Sequence, residues 1–277
     1  MKHNALIRAE TDRDLIFLWL GNLSKTTKIS YSSIIKQFLD FIDKPLAEVT
    51  LEDLQLWKRR LELTYKPTTI RNKLLVIKSL FSFCASVNYL NINVGSFLKA
   101  PKVKETLAQR ILDFDEVKRL IGAAAGNERD LAMLSLMYGC GLRVSEVVGI
   151  TWNDLKGGKV TVLGKGGQTR TVLVPLSVWK QLMELPQKSS FVFVSLKTHR
   201  QLERTGIHKI IKKYSLKAGI DPKTSSHWLR HSHASHSLEA GCSIKLLQHS
   251  LGHSSICTTE KYLHVNPNEG SSQFIDI

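Results

Sequence analysis

Six residues whose side chains act on phosphate groups are spread over the second half of the chain. They are Arg143, Lys165, His227, Arg230, His253 and Tyr262. Two arginines can bind phosphodiester oxygens through paired hydrogen bonds, which a lysine ammonium does less well. A tyrosine hydroxyl can form a covalent phosphoester, which divides one difficult step into two easier ones. The set is therefore suited to attack on a phosphodiester without a metal ion.

Each of these residues lies in a short phrase, and the phrases follow one another in a fixed order. They read GLRVSE, VLGKGGQTR, HWLRHS, LGHSS and TTEKYLHV. Their content and order resemble the tyrosine recombinase, or phage integrase, family, and its Xer-like members in particular. The resemblance is strongest from Leu134 to Val265 and extends more weakly over Thr11 to Asn93. One phrase alone is a weak signal, whereas five in this order are highly specific.

The resemblance implies site-specific recombination of double-stranded DNA. Tyr262 would attack a phosphate to give a 3′-phosphotyrosyl link, and a 5′-hydroxyl from a partner strand would reverse that step. Such exchange requires paired half-sites and a homo-tetramer, or paired dimers, on the DNA, and it proceeds through a Holliday junction. Bond energy is conserved, so neither ATP nor a metal cofactor is expected.

The family pattern also implies a role for each of the other matching residues. Arg143 and Arg230 would bind the phosphate, and His227 would act as an acid/base group. His253 would bond a non-bridging oxygen. Lys165, between glycines at a hairpin tip, would enter the minor groove and protonate the departing 5′ oxygen, because an alkoxide leaves poorly near neutral pH.

Two further residues of the second half are predicted to support the site. Glu146 follows Arg143 by three residues and so lies on the same helical face. It forms either a weak surface ion pair or a carboxylate that orients Arg143, and the family has an acidic residue here. Arg170, on the return strand of the hairpin, is expected to contact phosphate.

Other interpretations of the same residues stay open at this point. His227/His231 and His233/His236 have helical spacings that could bind a metal, although no cysteine or carboxylate lies at a fitting spacing. His231, His233 and His236 match no catalytic position of the family, so packing or capping is expected. A type IB topoisomerase shares the chemistry, and a non-catalytic DNA-binding regulator could share the scaffold.

Composition favours a polyanionic partner and a two-domain protein. The chain has 277 residues and a formal net charge of +15, an excess of cations typical of nucleic-acid binding. Its four cysteines form no CxxC pair and are expected to be reduced. The first residues lack the apolar stretch of a signal peptide, and a cytoplasmic protein is expected.

The phosphate-binding phrases need a scaffold, and the patterns predict two domains. Residues 1–98 are predicted to form a four-helix DNA-grasping domain, with helix caps at Thr11 and Thr50. A basic linker over 99–110 would join it to a catalytic domain over 111–277. Basic clusters lie on the predicted helices, either as solvated faces or, by resemblance, as DNA contacts. The candidate contacts are Lys58, Arg59, Arg71 and Lys73.

The catalytic domain is predicted to be mostly helical with one small antiparallel sheet, so the fold class is mostly α with a mixed α+β second domain. A hairpin is expected from 159–163 and 171–174, and a third strand from Phe191 to Val194. The short helix after Thr258 and Thr259 is expected to contain Tyr262 in a polar setting. The apolar tail end, Phe274 to Ile277, is expected to dock either on its own domain or, as the resemblance implies, on a neighbouring protomer.

Overall fold

The computed structural model describes residue 9 and residues 11–103, 107–164 and 167–263. The chain divides into two compact units, Met1–Glu105 and Thr106–Ile277. The division falls inside the segment predicted as a linker, and the domain limits at 98 and 111 stay predictions. Lys165 and the tail residues Phe274 to Ile277 lie outside the described residues, and so do the predictions made for them.

The described part of the first unit is helical, as the sequence predicts. Its α-helices are α1 (Asp12–Gly21), α2 (Lys25–Ile42), α3 (Leu51–Glu62) and α4 (Pro67–Ser86), with short 3₁₀ helices at Leu46–Glu48 and Val94–Phe97. Local capping begins α1 and α3 at the predicted residues. The Thr11 hydroxyl accepts from the Asp14 amide, and Thr50 and Asp53 form a reciprocal capping box.

Aromatic side chains join three of these helices into one core. Phe38 of α2 meets Trp57 of α3 edge to face, with ring centroids 5.0 Å apart, and Phe81 of α4 at 6.2 Å. All three rings are fully buried. Edge-to-face pairs of this kind add to the stability gained from burial. The core therefore holds α2, α3 and α4 in a fixed bundle.

The second unit contains the helices and the sheet that carry the phosphate-binding phrases. Its helices are α5 (Phe114–Gly122), α6 (Glu128–Gly139), α7 (Val144–Gly149), α8 (Leu176–Met183), α9 (Arg204–Lys217), α10 (Ser226–Glu239), α11 (Ile244–Leu251) and α12 (Cys257–Glu260). Buried α6 packs against both α8 and α10 at the centre of this unit. Short 3₁₀ helices occur at Ala108–Arg110 and Trp152–Asp154.

A three-stranded antiparallel sheet lies between α7 and α8 in the chain. It comprises β1 (Leu155–Lys156), β2 (Lys159–Leu163) and β3 (Thr169–Leu173), in the order β1-β2-β3. Val160 pairs with Val172, and Leu163 with Thr169, so the predicted hairpin is confirmed. The predicted strand from Phe191 to Val194 is wrong. Only single bridges form there, Thr151 with Phe191 and Val194 with Gln201, while the third strand is β1.

None of the helices within the described ranges combines the length and the apolar composition that a membrane crossing requires.

Candidate active site

Arg143 and Glu146 are held together at the start of α7. The Arg143 amide donates to Oε2 of Glu146 at 2.8 Å, and its Nη1 donates to Oε1 at 2.9 Å. The Glu146 side chain is only 1% exposed, whereas Arg143 is 27% exposed. The pair is therefore not a solvated surface contact. The buried Glu146 carboxylate holds the guanidinium of Arg143, which remains partly exposed.

Arg170 of β3 binds the same carboxylate. Its Nη1 and Nη2 donate to the two Glu146 oxygens at 2.6 and 3.0 Å, and its Nε donates to the Ser250 carbonyl at 2.7 Å. Burial alone would raise the pKa of Glu146, but the hydrogen bonds and charges of Arg170 and Arg143 outweigh it and lower that pKa. The sequence predicts that Arg170 contacts phosphate, whereas here the guanidinium is committed to Glu146 and to α11.

Arg230 of α10 is fixed by two backbone carbonyls. Its Nη1 donates to Gly141 and its Nη2 to Leu251, each at 2.6 Å, and the residue is only 4% exposed. Burial and the nearby charge of Arg143 lower the pKa of Arg230 to about 9, so it remains a cation at neutral pH. Gly141 has φ +59°, and a β-carbon there would lie 2.5 Å from the His233 ring. Glycine is therefore required where the chain turns to offer this carbonyl.

His253 follows the end of α11 and faces the same region. Gly252, at φ +63°, ends the helix, and its carbonyl accepts from Nη2 of Arg143 at 3.3 Å. The Nδ1 of His253 lies 2.9 Å from the Thr259 hydroxyl. Burial lowers the pKa of His253 to about 4, and the charges of Arg230, Arg143 and Arg170 lower it further. The imidazole is therefore neutral at pH 7 and can donate a single hydrogen bond to an anion.

Arg143, Arg170 and His253 open onto a concave, positively charged cavity of about 810 Å³. Its lining includes Arg143, Arg170, Lys245, Gln248, His249 and His253. Arginine donors that converge in a recess are suited to a phosphate group. Within the ranges that the structure describes, no cluster of three or more His, Cys, Asp or Glu residues is placed to hold a metal ion.

Tyr262 is placed differently from the prediction. It lies in a turn just after α12 rather than inside a helix, and Thr258 and Thr259 are helical residues rather than caps. Its ring is 5% exposed in a small apolar cluster with Leu247 and Leu251, so the expected polar setting is wrong for the ring. The hydroxyl has a polar partner, His231 Nδ1, at 2.7 Å. Burial raises the pKa of Tyr262, while the charges of Arg230 and Arg143 oppose that change.

His231 is the site residue that sequence reasoning missed. It was expected to pack or cap a helix, yet it contacts the Tyr262 hydroxyl across 31 positions of sequence. The available signal was its spacing, since His227, Arg230 and His231 share one face of α10. His227 is exposed and stacks on the His231 ring with centroids 6.4 Å apart. Loss of water around part of His227, and then the charge of Arg230, lower its pKa.

The other two histidines of α10 match the structural expectation. His236 lies with Nδ1 2.9 Å from the Tyr138 hydroxyl, and the His233 ring packs edge-on to Tyr138. Both contacts join α10 to α6, away from the cavity that Arg143 and His253 line.

The predicted DNA-contact residues of the first unit differ in their exposure and in the side-chain contacts that they already make. Arg59 and Arg71 are exposed. Lys58 lies 3.8 Å from Glu62 and, with Arg59 and Lys99, borders a cavity of about 400 Å³. Lys73 bonds the Gln37 side chain and lies over the Tyr65 ring, 4.4 Å from its centroid. Arg59 and Arg71 are therefore better placed for phosphate than Lys73.

We expect Glu146→Gln to be strongly destabilising and to impair the site. The change leaves the buried Arg170 without its counter-charge, which costs about 3–5 kcal/mol for a buried pair. Urea unfolding of the full chain measures this loss. Asp115→Asn is the matched control, because its pair with Lys118 spans 3.8 Å between exposed side chains and is worth about 0–1 kcal/mol. Equal losses in the two variants would contradict the arrangement.

We expect acid to destabilise the second unit between about pH 6.5 and pH 4. The pKa values of His231, His233 and His253 are each lowered to about 4, mainly by burial. Over this window the unfolded chain binds more protons than the folded chain, so the free energy of unfolding falls as the pH is lowered. Each histidine contributes a loss of about 1.4 kcal/mol per pH unit. Urea unfolding at about pH 7 and about pH 5 measures it. His233→Gln should flatten the dependence, whereas His199→Asn, at an exposed position, should not.

Sequence comparison identifies relatives over most of the chain. The model described as Phage integrase family matches residues 110–269. Tyrosine recombinase XerD of Rickettsia bellii (strain RML369-C) is 30% identical over 276 residues, which cover 89% of this chain and 90% of that protein.

Comparison with solved structures shows the same fold. A lambda integrase (75–356) dimer bound to a COC′ core site has a TM-score of 0.78 at 20% identity, covering 96% of this chain and 97% of that chain. A lambda integrase tetramer bound to a Holliday junction has a TM-score of 0.72 at 18% identity, covering 89% and 78%. At these identities the likeness concerns the fold alone.

Proposed function

We propose that this chain cuts and rejoins DNA through Tyr262. The premise is that it belongs to the phage integrase family and is a tyrosine-type site-specific recombinase. The observation that carries the proposal is the convergence of arginine and histidine donors on one recess, with Tyr262 close to them. Arg143, at the start of α7, and His253, just after α11, line the recess, and the Arg230 guanidinium of α10 binds the carbonyls of Gly141 and Leu251 beside them. Tyr262 lies near enough for both arginines to act on its pKa.

The chemistry begins when the Tyr262 hydroxyl gives its proton to a neighbouring base and its oxygen attacks a scissile phosphorus. The new P–O bond gives a 3′-phosphotyrosyl link, and the bond from phosphorus to the 5′ oxygen breaks. That oxygen takes a proton from Lys165 and leaves as a hydroxyl. A 5′-hydroxyl from the partner strand then attacks the phosphotyrosine and releases Tyr262. Because each broken bond is replaced by an equivalent one, neither ATP nor a metal ion is required.

The surrounding residues stabilise the charge that develops on phosphorus. Arg143 and Arg230 would bind the non-bridging oxygens, and His253 would donate a further hydrogen bond. Fixed donors of this kind lower the barrier because they need no reorganisation at the moment of reaction. The Arg230 guanidinium is held by two carbonyls and Arg143 by Glu146. Arg170 would act indirectly, by orienting the Glu146 carboxylate that holds Arg143.

The substrate is double-stranded DNA with paired half-sites, on which four copies of the chain assemble and pass through a Holliday junction. Support comes from the lambda integrase structures with a core site and with a junction. The net charge of +15 fits a polyanionic partner. The exposed Arg59 and Arg71 of the first unit would add phosphate contacts beyond the catalytic site.

A nicked suicide substrate tests the proposal directly. Cleavage beside the nick releases a short fragment that carries the free 5′-hydroxyl. This fragment diffuses away, so the covalent intermediate accumulates. We expect a protein–DNA adduct on a denaturing gel without added metal, in the presence of a chelator. Strand exchange between two intact duplexes, which keep their 5′-hydroxyls after cleavage, distinguishes recombination from mere relaxation of supercoils. If the wild-type chain forms no adduct on any duplex carrying its half-sites, the proposed function is wrong.

We expect Arg71→Ala to reduce the salt dependence of DNA binding. If Arg71 pairs with one phosphate, the slope of log affinity against log salt should fall in magnitude by about one unit. Titration of a labelled duplex at several salt concentrations measures the slope. Arg13→Ala, which removes an exposed charge from α1, is the control and should leave the slope unchanged. An identical slope in wild type and Arg71→Ala would show that Arg71 faces solvent and pairs with no phosphate.

A further inference from the structure

The contact between His231 and Tyr262 gives the proposed nucleophile a specific hydrogen-bond partner. The two atoms, Nδ1 and the phenolic oxygen, are 2.7 Å apart, and the ring centroids lie 5.7 Å apart. Tyr262 is only 5% exposed, so little water reaches the side chain. A phenol in such a place must lose its proton to a neighbouring group when its oxygen becomes bonded to phosphorus.

His231 lies on the face of α10 that also carries Arg230. The charged and titratable groups that influence His231 are His227 and Arg230 on its own helix and Arg110 from the preceding 3₁₀ helix. Tyr262 and His253 face it from the C-terminal segment. Burial and these positive charges lower the pKa of His231 to about 4. The imidazole is thus neutral at pH 7, and its Nδ1 lone pair can accept the phenolic hydrogen when Nε2 carries the ring proton.

We propose that His231 is the proton acceptor for Tyr262 during DNA cleavage, and that it returns this proton when Tyr262 is released. The inference rests on the proposed function. In the forward step the O–H bond of Tyr262 breaks, its proton passes to Nδ1 of His231, and the freed electron pair forms the P–O bond. In the reverse step the P–O bond breaks, and the departing phenolate oxygen recovers the proton from Nδ1.

The charge of the substrate makes His231 a better base in the complex than in the free protein. A bound phosphodiester brings negative charge to the site that Arg143 and Arg230 share. Negative charge favours the protonated imidazole and raises the pKa of His231 toward the ordinary value for histidine. Proton acceptance therefore becomes favourable only when DNA is in place. Without DNA, burial raises the pKa of Tyr262 and keeps it a neutral phenol.

The test compares adduct formation by wild type, His231→Ala and His231→Asn on the nicked suicide substrate as pH is varied. Asparagine keeps an acceptor oxygen near the position of Nδ1 but cannot take a proton near neutral pH. We expect both variants to cleave about 100-fold more slowly at pH 7. Their rates should rise about tenfold per pH unit as phenolate forms unaided, whereas the wild-type rate should level off. Added imidazole should recover part of the His231→Ala rate.

A second tyrosine–histidine pair supplies the matched control. His236 and Tyr138 make the same kind of contact, with Nδ1 2.9 Å from the hydroxyl, between α10 and α6. His236→Asn should cleave at the wild-type rate with the wild-type pH profile. If His231→Asn also cleaves at the wild-type rate, His231 only orients the hydroxyl and the proposal is overturned. Failure of the proposed function gives a different result, namely no adduct from wild type.

Discussion

Tyr262→Phe will bind its DNA with nearly wild-type affinity but will form no covalent adduct. The substitution removes one oxygen from a ring that is 5% exposed among Leu247 and Leu251, so the packing that holds the turn after α12 is retained. Phosphate contacts from the arginines are unchanged, which preserves affinity. Cleavage stops because the attacking atom is gone. A denaturing gel with the nicked substrate and a binding titration on the same preparation measure both quantities.

Tyr138→Phe is the control for this result. It also removes a hydroxyl that contacts a histidine of α10, 2.9 Å from His236. That variant should form adduct at a rate near that of wild type. An adduct that persists in Tyr262→Phe, or one lost equally in Tyr138→Phe, would contradict the assignment of the nucleophile.

Lys165→Ala should slow cleavage of ordinary DNA by about 100-fold to 10,000-fold, the usual contribution of a general acid. Lys165 comes between β2 and β3 in the chain but lies outside the described residues, and its role is inferred from the sequence. A substrate with sulfur in place of the bridging 5′ oxygen needs no proton at the leaving group. On that substrate the variant should recover most of the lost rate. Single-turnover rates on the two substrates give the comparison.

Lys159→Ala provides the matched control, because Lys159 is an exposed lysine at the base of the same hairpin. It should cleave both substrates at about the wild-type rate. Should Lys165→Ala remain equally slow on the sulfur-containing substrate, the leaving-group proton comes from another residue.

Local sequence patterns were sufficient to predict most of the helices and the hairpin. Thr50 and Asp53 cap α3 through contacts only three residues apart, and such signals can be read directly from the chain. The strand predicted at Phe191 failed because its apolar composition also fits a buried loop with single bridges. The real third strand, Leu155–Lys156, is too short for an alternating pattern to appear.

The site was predicted less completely than the fold, and for a physical reason. The roles of Arg143 and Tyr262 were inferred from ordered phrases, but contacts between distant side chains have no local signature. Arg170 contacts Glu146 across 24 positions, and His231 contacts Tyr262 across 31. The first contact depends on how β3 packs beside α7 and α11, and the second on how the segment after α12 packs against α10. Packing of that kind brings the Arg170 guanidinium to the Glu146 carboxylate, and its predicted phosphate contact stays a prediction.

The chemical identity of the covalent link is the most direct test of the central claim. Adduct formed on the nicked substrate can be digested with protease and nuclease, and the remaining nucleotide–peptide can be sequenced by mass spectrometry. The account predicts a single peptide that contains Tyr262, joined through its phenolic oxygen to a 3′-phosphate. A link through any other residue, or to a 5′-phosphate, would contradict it.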